Sequence, residues 1–211
     1  MRKHVEKQVE TRRIEAFSDG VFAIAITLLV LEIRIPSQVD VANLGLWVAI
    51  VSAWPSFLAF VTSFVTILVI WVHHHWIFSV TVKVDHALFY WNGLLLLLVT
   101  FIPFPTGLLA AYLTHPDAKT AASVYTGTFL AISVTFRGLW WHASTRGRLL
   151  TEATLWRTQA ASQIADRYRL APLLYSISFA TSFLSETVSV TSCMLLALVF
   201  AMRGWPDDTQ Q

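Results

Sequence analysis

Arg13, Phe17, Ser18 and Asp19 occur in the run Arg-Ile-Glu-Ala-Phe-Ser-Asp, at the mouth of an apolar stretch from Gly20 to Leu31 that Glu32 closes. Ionisable groups at the edge of hydrocarbon are costly unless paired, and they mark ion paths, proton relays or buried networks. Two readings of Ser18 and Asp19 stand on the residues alone. Both types cap helix N-termini, and a carboxylate there gains from the helix dipole. Against that, Arg13 to Phe17 already has helical character, which puts Asp19 inside the helix and in need of a partner.

Gly20, Ile24, Leu28 and Leu31 follow helical steps and share one stripe, with Thr27 beside it. Around a symmetry axis they stack into rings, and aliphatic constrictions can gate ions by dewetting. Any membrane-spanning helix carries apolar residues at these steps, so periodicity leaves lumen and lipid both open. Glu32, near the outer end, can raise local cation concentration, against the opposing charge of Arg34.

The second group is His73-His74-His75, which shares a membrane face with Asp85 and His86. Consecutive helical residues point about 100° apart, so the three cannot serve one site. A hydrogen-bonding network joining the first span to the second and third fits them better than a metal site. Asn92, within the third span, is a further polar group that must find a partner. Two rival chemistries are a histidine-ligated haem redox protein, drawing on His74, His86 and His142, and a secondary cation transporter. The transporter's hallmark is broken mid-membrane helices, and only a kink at Pro55 hints at one. The chain has no glycine-rich phosphate loop, no Gly-x-Ser-x-Gly, no His-Glu-x-x-His and no Thr-Val-Gly-Tyr-Gly carbonyl filter. An enzyme is not expected.

These residues need helices of bilayer length to position them, and the composition supplies them. Of 211 residues 55% are hydrophobic and 13% charged, with nine tryptophans and fourteen phenylalanines. Soluble domains carry about 25% charged residues, and interfacial tryptophan belts mark membrane proteins. The hydropathy pattern predicts an all-α polytopic membrane protein with a single six-span domain. The spans are expected at about 16–35, 46–72, 87–109, 121–141, 168–184 and 187–203, with a basic cytoplasmic linker over 142–167. Within the linker, Leu155, Trp156, Ile164 and Leu170 suit a segment lying on the membrane surface. With the N-terminus cytoplasmic, every lysine and arginine except Arg34 and Lys119 falls on the cytoplasmic side, as the positive-inside rule requires. That distribution also argues against nucleic acid as a partner. The leader is read as part of a retained first helix, because Glu32 and Arg34 stand where a signal peptidase needs small residues. Cys193 is a small packed residue. The Phe-Ser-Asp segment occurs once, so its helix reaches a central axis only by oligomerisation.

Arg13-x-x-x-Phe17-Ser18-Asp19, then Thr27 and Leu28-Leu29-x-Leu31-Glu32-Ile33, resembles the first helix of the transmembrane protein 175 family of endolysosomal-type potassium channels. Trp71-Val72-His73-His74-His75, Asn92 and Pro103-Phe104-Pro105 extend the resemblance through the third span. It implies a six-helix subunit without a P-loop filter, forming a homotetramer whose first helix lines the pore. On this sequence Ile24, Leu28 and Leu31 would form the constriction, with Ile24 innermost and Thr27 helping to discriminate potassium. Arg13, Phe17, Ser18 and Asp19 would join His74 or His75 in a packing network. His73 departs from the family pattern, where asparagine is common. The implied permeant ion is potassium, with no cofactor, in the cell membrane with both termini cytoplasmic.

Overall fold

The computed structural model describes the backbone of residues 2–146 and 158–202 and the side chains of residues 11–144 and 168–202. Residues 147–157 of the expected linker, with Leu155 and Trp156, lie outside the described residues, as do the side chain of Ile164 and all of Arg203. Every described element is a helix. Good helix formers in the leader carry α1 (Arg2–Leu28) straight through the Arg13–Asp19 junction, well before the expected start at residue 16. Asp19 is therefore a mid-helix residue and not a cap. The last turn tightens into a 3₁₀ segment, Leu29–Glu32, and Ile33 turns extended.

Ser37 then opens α2 (Gln38–Leu44) with a capping box shared with Asp40. Gly45, at φ +78°, separates α2 from α3 (Leu46–Ser52), a backbone value that favours glycine. The second span was expected as one kinked helix over 46–72. Instead the chain breaks at Ala53, and α4 runs from Trp54 to Ser79. Pro55 sits in its first turn, where a missing N–H costs nothing. The histidines consequently lie inside α4 and not at its exit.

Asp85 caps α5 (His86–Phe101) by accepting the Leu88 N–H at 2.8 Å. Ile102 and Pro103 turn the chain into α6 (Pro103–Tyr112). α7 (Ala118–Trp141) ends in a π-turn, His142–Arg146. α8 (Thr158–Ser182) begins earlier than the expected fifth span, and α9 (Glu186–Met202) follows a turn at Ser185. Three helical segments among the described residues are long and apolar enough to cross a membrane: Thr11–Glu32, Trp54–Ser79 and His86–Tyr112. Glu186–Met202 is a shorter apolar helix.

Lipid offers no hydrophobic drive between helices, so close packing and interhelical hydrogen bonds hold such a bundle together. Ser63 Oγ sits 2.7 Å from Thr106 Oγ1 and 3.0 Å from Tyr125 Oη, tying α4, α6 and α7. Ser123 meets Ser182 at 2.9 Å between α7 and α8, and Ser178 meets Ser192 at 2.8 Å between α8 and α9. α5 and α7 approach where Trp91 packs against Gly138; a Cβ there would come within 2.5 Å of the indole. α1 packs on α4 and α5, at one side of the bundle.

Candidate functional site

The inward face of α1 is held by a directional chain of buried hydrogen bonds. Ser18 Oγ–H donates to Ile14 O at 2.8 Å, and Asn92 Nδ2 donates to Ser18 Oγ at 3.0 Å. Asn92 Oδ1 is thereby left as an acceptor, 2.8 Å from His74 Nε2. The geometry therefore places the His74 proton on Nε2. His74 is fully buried, stacked on Phe78 with ring centroids 4.4 Å apart and tilted against Phe22. Its Nδ1 has no partner. Three helices, α1, α4 and α5, are thus tied by one histidine, one amide and one hydroxyl.

A second set of contacts runs along the same seam. Trp71 Nε1–H donates to Asp19 Oδ1 at 2.8 Å, and His75 Nδ1 lies 2.9 Å from Glu15 Oε1. The rungs are four residues apart on each helix, the signature of two antiparallel helices facing one another. The Trp71 and His75 rings stack along α4. His73 turns elsewhere, to Tyr168 Oη at 3.2 Å. Three consecutive histidines therefore take three separate partners, because a helix rotates between neighbours.

The expected cluster of Arg13, Phe17, Ser18 and Asp19 around His74 or His75 is divided by this geometry. Ser18 reaches His74 through Asn92, and Asp19 pairs with Trp71 and not with either histidine. Arg13 and Phe17 make no hydrogen bond to either histidine among the described residues and line a groove with Asp85, His86, Phe89 and Asn92. The sequence reading assigns no partner to Glu15 or Trp71, although Glu15 with Asp19 and Trp71 with His75 are both i, i+4 pairs.

Asp85 and His142 form a further unforeseen contact. Both carboxylate oxygens lie 2.8–2.9 Å from His142 Nε2, joining the start of α5 to the end of α7. Desolvation pushes the Asp85 carboxyl up, but the Leu88 N–H and the His142 ring together outweigh it and hold it below its ordinary value. A depressed carboxylate contributes stability above its unfolded pKa and loses it as pH falls through the lower folded value. Acidification from neutral to below about 4 is therefore expected to lower thermal stability, and Asp85→Asn to remove part of that dependence, measured by melting in detergent. An unaltered pH profile in the variant excludes the pair as the cause. The histidines that a haem reading needs are engaged separately, His74 by Asn92 and His142 by Asp85. Among the described residues no three His, Cys, Asp or Glu side chains converge on a metal-sized site.

The outward face of α1 carries the other expected residues. Ser18, Ala25 and Leu29 are 0% exposed and Phe22 3%, whereas Phe17 is 68%, Ile24 60%, Leu28 42% and Leu31 73% exposed. Thr27 lies on the exposed side, its hydroxyl donating to Ile24 O at 2.9 Å. Glu32 is half-buried, its carboxylate folded onto α6 where Gly107 leaves room for it. The site is a helix with one face locked to its own bundle and an apolar face left open.

Membrane-length helices tied by buried polar bonds define an all-helical integral membrane protein. Residues 13–103 match the family model described as endosomal/lysosomal potassium channel TMEM175. The chain is 57% identical over 198 residues to a potassium channel of Chamaesiphon minutus, covering 94% of this chain and 97% of that protein. It is 40% identical over 203 residues to a potassium channel of Streptomyces collinus, covering 96% and 97% of the two chains. The crystal structure of a lysosomal potassium-selective channel TMEM175 homolog from Chamaesiphon minutus superposes with a TM-score of 0.87 at 55% identity. That superposition covers 94% of this chain and all of the other. The chain belongs to the TMEM175 family.

Proposed function

We propose that the chain is a potassium-selective channel and not an enzyme, conducting passively along an axis formed by α1 of each subunit in a homotetramer. The observation that carries this reading is the two-faced α1, in a chain similar over nearly its full length to proteins named potassium channels. A helix whose Ser18, Phe22, Ala25 and Leu29 are locked against α4 and α5 can present Ile24, Leu28 and Leu31 to identical helices around an axis. Six spans per subunit, at the helices α1, α4, α5–α6, α7, α8 and α9, put every lysine and arginine but Arg34 and Lys119, and both termini, on the cytoplasmic side of the cell membrane.

In such a lumen the aliphatic rings strip water from the ion, and the energy barrier is the dehydration they impose. Sodium holds its hydration shell more tightly than potassium, so a narrow apolar ring passes potassium preferentially but modestly. Thr27 lies one residue from the Ile24–Leu28 stripe and supplies an oxygen near the constriction. Glu32, seated on α6, fixes the last turn of α1 and leaves its charge at the wide end, where it attracts cations. The seam of Glu15–His75, Asp19–Trp71 and Ser18–Asn92–His74 holds the lining helix in register.

Flux measurement in liposomes tests the assignment. Purified protein is expected to pass potassium faster than sodium down a gradient, without saturation or coupling to protons. Saturating, proton-coupled uptake would instead indicate a carrier, and no flux with intact tetramers would refute the channel.

A further inference from the structure

On another side of α4 the bundle encloses a cavity of about 70 Å3 between α4, α7, α8 and α9. Its wall is largely apolar, with Ile70, Phe129, Ile132 and Phe136 among the lining residues. Thr66 and Ser133 also line it but donate their hydroxyls to Thr62 O and Leu130 O of their own helices, and two further polar features interrupt the wall. His73 and Tyr168 bond to each other at one end. Tyr175, only 7% exposed, also lines the space, and its hydroxyl has no hydrogen-bond partner among the described residues. Helical side chains lean toward the helix N-terminus, so the Tyr175 hydroxyl reaches back toward the Tyr168 end.

The cavity does not close on itself. Val69, His73 and Phe200 also line a groove of about 120 Å3 that continues past Leu68 and Val72 between α4 and α9. Leu68 is exposed in the single chain, so the groove opens at the surface of the subunit. Arg137 and Arg169, both exposed, directly follow the lining residues Phe136 and Tyr168. Two positive charges therefore stand at the same end as His73.

We propose that this cavity and its groove hold an acidic phospholipid of the surrounding bilayer. Its phosphate lies toward Arg137 and Arg169, an ester carbonyl accepts from Tyr175, and part of one acyl chain fills the apolar space. Size fits this division: an apolar cavity of about 150 Å3 takes a benzene ring, so these spaces take a segment of chain and not a whole lipid. The uncommitted hydroxyl explains why an ester-bearing lipid suits the site better than a hydrocarbon, because a buried donor without an acceptor is costly. Since α4 carries both this cavity and the seam to α1, a bound lipid braces the helix that anchors the pore-lining element.

Native mass spectrometry of the purified full chain tests the site, with phosphatidylglycerol or phosphatidylcholine as the added lipid. Wild type is expected to retain one phosphatidylglycerol per subunit and to hold phosphatidylcholine about tenfold more weakly. Ala197→Leu, which fills the cavity from α9, should lower retention by about tenfold. Tyr175→Phe keeps the shape and should weaken it by roughly fivefold, the loss of one hydrogen bond. Equal retention of the two lipids, unchanged retention in both variants, or no retained lipid in wild type would overturn the proposal. The measurement reads lipid and not ion flux, so its failure is separate from any failure of the pore assignment.

Discussion

Ile24→Asn is expected to raise potassium flux through reconstituted channels by about tenfold or more and to narrow the gap between potassium and sodium. A tenfold rate change corresponds to about 1.4 kcal/mol at the barrier. An amide ring replacing an aliphatic one offers the ion oxygens in place of lost water, and dewetting no longer closes the lumen. Ile24 is suited to the test because it is 60% exposed in the single chain, so its replacement disturbs little internal packing. Leu29→Asn is the contrasting substitution: Leu29 is fully buried, so the same chemical change should unfold the subunit without reaching the lumen. Flux unaltered by Ile24→Asn, in assemblies of normal size, would remove Ile24 from the barrier.

The second large effect is expected at the seam. Asn92→Leu leaves the His74 Nε2–H without its acceptor in a ring whose Nδ1 is already unpartnered. It also strips Ser18 of the donor from α5. A buried polar group left unsatisfied costs about 1–3 kcal/mol, which for a chain of this length lowers the melting temperature by roughly 2–4 °C per kcal/mol. His75→Gln is the informative control. The His75 side chain is half exposed, and exposed ion pairs contribute about 0–1 kcal/mol, so little change is expected. Melting of the two variants in the same detergent decides the matter. Equal shifts would mean that the seam derives nothing special from its buried chain of donors.

Much of this molecule is written locally. A long apolar run with few charges dictates a membrane helix wherever it occurs, and three helical segments of membrane length are found among the described residues. The departures come where breaking residues act in context. Pro55 suggests a kink within a span, but proline is also well suited to a first turn, and the preceding break at Ala53 decides between those roles. Polar residues before residue 16 allow either a short helix or a tail, and in the structure α1 runs through them from Arg2.

The candidate site divides along the same line. Local pattern alone requires partners for Ser18, Asp19, His74 and Asn92, because a buried polar group without one is costly in any fold. It also puts Gly20, Ile24, Leu28 and Leu31 on one stripe, because a helix repeats every 3.6 residues. Which partner each polar group takes is a matter of how the helices pack. Asp19 takes Trp71, Ser18 reaches His74 through Asn92, and Asp85 takes His142, a pairing across 57 positions. Such pairings depend on the rotation of each helix about its axis and on its offset along a neighbour, quantities that no local pattern encodes. The same rotation hides Ala25 and Leu29 while leaving Ile24 and Leu28 open, although all four are apolar and almost adjacent in the chain.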